Sequence, residues 1–62
     1  MVLHNDYVKA ALTILGRVDL YHKMQLSGDP RRYRSVRRYA LSLIRQAPQY
    51  VRAAAIHMAL NS

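Results

Sequence analysis

The stretch Gly28-Asp29-Pro30-Arg31-Arg32-Tyr33-Arg34-Ser35-Val36-Arg37-Arg38-Tyr39 holds both a helix start and the main chemical signal of the chain. Asp before Pro marks a restart. The carboxylate can accept from the free N–H groups of a first turn, and proline, fixed in φ and lacking an N–H, is preorganised for the first helical position. The sequence therefore predicts a helix from Pro30 to about residue 46. Its apolar side is Tyr33, Val36, Ala40, Leu43 and Ile44, with Tyr39 at the margin, and Arg31, Arg34, Arg38 and Arg45 fall together on the far side. At 1.5 Å rise per residue those four make a stripe about 60° wide and about 21 Å long. Arg32 and Arg37 complete the candidate site.

Upstream, Leu26-Ser27-Gly28 breaks the pattern. Before it, Tyr7, Val8, Ala11, Leu12, Ile14, Leu15, Val18 and Tyr21 recur at helical spacing behind Asn5, a good N-cap, which predicts one helix from Asp6 to about Gln25. Gly16 lies on its polar side with Lys9, Thr13, Arg17 and Lys23, and its cost of about 1 kcal/mol against alanine is outweighed by the periodicity. Asp19 and Lys23 read as an i,i+4 pair. His22 is the odd residue, since it falls near the centre of the apolar arc. A histidine there could bond Asp19 or titrate at an interface, but a satisfied or end-of-helix histidine is the preferred reading.

Downstream, Pro48 would clash with the carbonyl of Ile44 and remove one helical bond, so a break is expected near Gln46-Ala47. The alternative is one long bent helix, because Val36, Ala40, Leu43, Ala47, Tyr50 and Ala54 run across the proline almost in phase. The segment from Pro48 to about Leu60 is apolar on two sides, with Val51, Ala54, Ala55 and Met58 on one and Ala53, Ile56 and Leu60 on the other. A helix apolar all round expects burial all round. One face has no cover in a unit this small, so Ala53, Ile56 and Leu60 are read as an oligomer interface.

The expected fold is all-α, one domain over residues 1–62, with three helices at about 6–25, 30–46 and 48–60, paired as a homodimer. A chain of 62 residues buries only about 60% of the surface of its unfolded form, and without cysteine it has no disulfide to reinforce a small core. No stretch approaches the roughly 20 apolar residues of a membrane span, and Met1 to Asp6 lack the basic start and apolar run of a signal peptide. These features together predict a soluble, cytoplasmic protein.

Ten Lys and Arg against three Asp, with no Glu, give a net charge of +7, and eight of the ten cations are arginine. The guanidinium fork matches phosphate and carboxylate, so an acidic partner is expected. Spaced guanidiniums on one helix face can neutralise phosphates and release counterions, giving sequence-independent affinity that falls with salt. Residues 31–45 are similar in composition to arginine-rich RNA-binding helices. Tyr33 and Tyr39 could stack on unpaired bases, although packing at the core edge is the preferred role. A helix-turn-helix reading fails, because the helix after Pro48 offers a groove only Gln49, Arg52 and His57.

Catalysis finds little support: there is no Cys, no Glu and no glycine-rich phosphate loop, and the three Asp read as caps or helix-end charges. His4, His22 and His57 have no zinc spacing. No cofactor, metal or small-molecule ligand is called for. The leading expectation is a non-enzymatic regulator that docks its arginine helix on a DNA or RNA backbone. The rival is an inhibitor or adaptor binding an acidic or nucleic-acid-handling protein, similar in size and composition to phage and plasmid accessory proteins of the anti-CRISPR and host-takeover classes. A membrane-active cationic helix ranks third, since Trp and Phe are absent.

Overall fold

A computed structural model describes residues 4–61. The all-α expectation holds, with four helices among the described residues in place of three: α1 (His4–Ile14), α2 (Val18–Leu26), α3 (Pro30–Gln46) and α4 (Gln49–Leu60). Met1 to Leu3, half of the stretch read for a signal peptide, lie outside the described residues.

The extra boundary is at Gly16. Its φ of +73° lies in the left-handed region, where glycine carries no Cβ penalty. Gly16 N–H donates to Thr13 O at 3.1 Å and Arg17 N–H to Leu12 O at 2.8 Å, the two bonds of a Schellman helix end. The continuous helix expected from Asp6 to Gln25 is therefore two, because this end satisfies free carbonyls that a propensity comparison leaves out. The start is also corrected: α1 is already helical at His4, so Asn5 lies inside the first turn and does not cap it.

The break resets the helical phase. Leu20 and Met24, one turn apart, become the buried residues of α2, and His22, which a continuous helix would turn inward, is exposed. The expected Asp19–Lys23 pair is replaced by Arg17, whose Nε and Nη2 donate to the two Asp19 carboxylate oxygens at 3.1 and 3.2 Å. Lys9 Nζ instead lies 5.7 Å above the Tyr21 ring and ties α1 to α2.

α1 is the hub: it packs against α4, α2 and α3, while α2 pairs with α3. Val8, Ala11 and Leu12 of α1, Leu20 and Met24 of α2, Ala40 and Ile44 of α3, and Ala55 of α4 meet in one core. The small alanines let the helices approach closely, and Leu12, Met24 and Val8 are the largest side chains fully enclosed. Pro48 breaks the helix as expected. Ala47 before it is extended (φ −70°, ψ 153°), the region to which a following proline restricts its neighbour. Pro48 itself stands at the N-cap of α4, with Val51 N–H donating to its carbonyl at 3.0 Å. No helix among the described residues is long and apolar enough to cross a membrane.

Candidate nucleic-acid interface

α3 is held at both ends. At its start the Asp29 carboxylate accepts from Arg31 N–H at 2.9 Å with Pro30 in the first turn, as the sequence predicts. Ser27 Oγ donates to Asp29 O at 3.1 Å and steadies the approach. At its end Arg52 Nη1 donates to Arg45 O at 3.0 Å, placing a cation where the helix macrodipole is negative. Ala40 and Ile44 bury the inner side, so the register of α3 is set by its core contacts and the arginine side follows from it.

The arginines do not all lie together. Arg34, Arg37, Arg38 and Arg45 line one open groove of about 460 Å³ with Leu41 and Ser42. Arg31 and Arg32 stand outside it near the helix start. Arg32 lines a separate recess of about 180 Å³ with Lys23, Leu26 and Ser27, at the turn between α2 and α3. Arg31, Arg32, Arg34, Arg38 and Arg45 are exposed and Arg37 is half-buried.

Leu41 and Ser42 belong to the groove without having been singled out in the sequence. Leu41 packs against the core and is half-buried, and Ser42 Oγ accepts from Gln46 Nε2 at 3.2 Å. A signal for Leu41 was present: at 100° per residue it falls between Arg34 and Arg37 on the wheel. The role of Arg52 had no such signal, because it depends on the angle at which α4 leaves Pro48.

The electrostatics of the groove follow from where the carboxylates are. Asp29 faces the α3 backbone, and Asp19 is held by Arg17. That contact keeps the Asp19 carboxyl below its ordinary range and raises the Arg17 guanidinium further, with the Tyr39 hydroxyl as a second partner of Arg17. Asp6 lies on α1 beside Lys9, in a recess against Met58 and Ala59 of α4. Among the described residues Arg17–Asp19 is the only ion pair, so the six α3 guanidiniums have no carboxylate within ion-pair distance. Tyr39 is about half exposed (51%) and Tyr33 packs partly against the core.

The three residues read from the sequence as an oligomer face lie on the solvent side of α4. Ile56 (47% exposed) and Leu60 (60%) are open to solvent, and so is Ala53. On the opposite side Val51 and Ala55 are buried against the bundle, with Ala59 beside them, whereas Ala54 and Met58 are exposed. No family model, curated protein or solved structure matches this chain.

Proposed function

We propose that the protein is a non-enzymatic regulator that docks α3 on a nucleic-acid backbone, DNA or RNA, through Arg34, Arg37, Arg38 and Arg45. Arg31 and Arg32 extend the contact toward the α2–α3 turn. The observation that carries the reading is the set of six α3 guanidiniums with no carboxylate of the described residues within ion-pair distance, on a helix whose register is set from inside the bundle. Phosphates are the ligand that such a row neutralises best, with counterion release supplying the affinity. The carboxylates at Asp19 and Asp29 serve structure, which supports a role without catalysis. A cytoplasmic setting and a homodimeric assembly belong to the same proposal.

The test is a fluorescence-anisotropy titration of short duplex DNA and a structured RNA at three salt concentrations. The expected result is micromolar or tighter binding whose affinity falls steeply with salt, by a slope of about 0.9 per duplex phosphate engaged. Absence of binding at low salt overturns it.

One observation favours a second reading. Leu41 gives the groove an apolar floor between arginines, which suits an acidic protein surface carrying an apolar side chain as well as it suits phosphates. Under that reading the protein is an inhibitor or adaptor, and Leu41→Asn weakens binding to a protein target while leaving nucleic acid untouched.

A further inference from the structure

The cations of α3 are not confined to the groove, and one of those outside it has a companion on another helix. Arg32 and Lys23 are both exposed and line one recess at the α2–α3 turn with Ser27 and Leu26. Among the described residues neither cation has a carboxylate within ion-pair distance. Asp29, just before them on α3, is taken up by Arg31 N–H. Leu26, in the same recess, is the most exposed large apolar side chain described, at 86%.

Recess and groove lie on opposite flanks of one helix. At 100° per residue Arg32 is about 160° round the wheel from Arg34. Between them, on the solvent side, fall Arg31, Arg38 and Arg45, all exposed. α3 packs on α2 and α1, with Ala40 and Ile44 buried on the other side of the wheel. Its sequence contains no Asp or Glu, so nothing on the outer arc repels an anion.

We infer that α3 lies along the major groove of duplex DNA, with Arg34 and Arg37 on the phosphates of one strand and Arg32 with Lys23 on those of the other. The inference rests on the nucleic-acid reading and adds which nucleic acid is held and how. Two cationic flanks select two strands, because a single strand that follows the groove leaves the recess unused. On the recess flank a strand offers phosphates to Lys23 and Arg32 and the apolar face of its sugars to Leu26. Width selects the form of the duplex. An α-helix with its side chains is about 10–12 Å across, and the B-form major groove is about 12 Å wide. The A-form RNA major groove is too deep and narrow for side chains to read. The crest of α3, Arg31 and Arg38, then faces the groove floor, where guanine O6 and N7 accept from a guanidinium.

The experiment is a set of salt titrations of the full chain by fluorescence anisotropy, against a short guanine-containing DNA duplex, one of its single strands and an RNA duplex of the same sequence. Wild type is compared with Lys23→Gln/Arg32→Gln and Arg34→Gln/Arg37→Gln, with the fold of each checked by circular dichroism. Lys23 and Arg32 are exposed, so the first variant should keep its helicity. Each double variant should lower the duplex-DNA salt slope by about 1.8, at about 0.9 per phosphate. The first should leave the single-strand slope unchanged, and the RNA duplex should bind about tenfold or more weaker. Dimethyl sulfate probing of the DNA complex should find guanine N7 in the major groove protected and adenine N3 in the minor groove reactive. A duplex slope that Lys23→Gln/Arg32→Gln leaves unchanged, while Arg34→Gln/Arg37→Gln lowers it, removes the second strand and leaves the backbone reading standing. Protection at adenine N3 in place of guanine N7, or RNA bound as tightly as DNA, removes the major-groove placement. No binding of any of the three at low salt removes the inference and the nucleic-acid reading together.

Discussion

The outer faces of α3 and α4 both lie outside the core, yet they are built from opposite materials. α3 turns arginines to water around a groove, while α4 turns Tyr50, Ala53, Ile56 and Leu60 outward and uses its single arginine on the end of α3. The two helices follow each other in the chain, separated only by Ala47 and Pro48, so the contrast owes nothing to distance in sequence. It teaches that a small basic chain can gather six of its eight arginines on one helix and leave the next with an apolar outer side. α1 makes this possible, because it packs against both helices and supports each from behind.

The largest effect should come from removing that shared support. Leu12 is fully buried, and Leu12→Ala is expected to cost about 2–5 kcal/mol through weaker packing and a residual cavity. A chain of this length has about 3–9 kcal/mol in total at typical stability per residue. Thermal melts followed by circular dichroism should show a large drop in midpoint, and both faces should fail together. If only one face fails, α1 is not their common foundation.

The next effect separates the faces. Arg34→Gln/Arg38→Gln/Arg45→Gln should lower the salt slope of duplex-DNA binding by about 2.7, at about 0.9 for each phosphate no longer neutralised, with helicity unchanged because all three residues are exposed. An unchanged slope would move the binding surface off α3.

A smaller effect probes the pivot between α1 and α2, through which the α2–α3 pair is joined to the α1–α4 pair. Nothing lies within 4 Å of a Cβ built on Gly16, so Gly16→Ala should cost only the left-handed backbone penalty of about 1–2 kcal/mol. Gly28→Ala is the control. It also meets open space, without a positive φ, and should be neutral or slightly stabilising, by up to about 1 kcal/mol. Denaturant midpoints that shift equally for the two would contradict the helix end at Gly16.

The smallest effect concerns charge away from the groove. Asp19 is held below its ordinary carboxyl range by Arg17, so its favourable contribution is present above that ordinary range and disappears as pH falls through the lowered folded value. Both partners are exposed, so the contribution is slight. Melts of Asp19→Asn and wild type should differ a little near neutral pH and converge in acid. A difference that grows in acid would have the wrong sign.

The sequence was most legible where structure depends on local chemistry. Asp29-Pro30 placed the start of α3, Pro48 its end, and the wheel its buried and arginine sides. It was least legible at Gly16, where propensity against periodicity argued for continuity and the deciding bonds, from Gly16 and Arg17 N–H groups, exist only once the chain has turned. The clue was His22. A histidine at the centre of an apolar arc meant that the phase was wrong, and the break that exposes it buries Leu20 and Met24 instead. Within the candidate site, the grouping of Arg34, Arg38 and Arg45 could be read from spacing. The recess that Arg32 shares with Lys23, Leu26 and Ser27, and the hydrogen bond of Arg52 to Arg45, depend on how neighbouring helices pack.

The most direct test of nucleic-acid binding by the arginine face is an amide chemical-shift map of the labelled protein titrated with a short DNA duplex at low salt. Shifts should concentrate at Arg34 to Arg45 of α3, with Ala53, His57 and Leu60 on the outer face of α4 unmoved. Shifts centred on α4, or no shifts at all, would contradict the assignment.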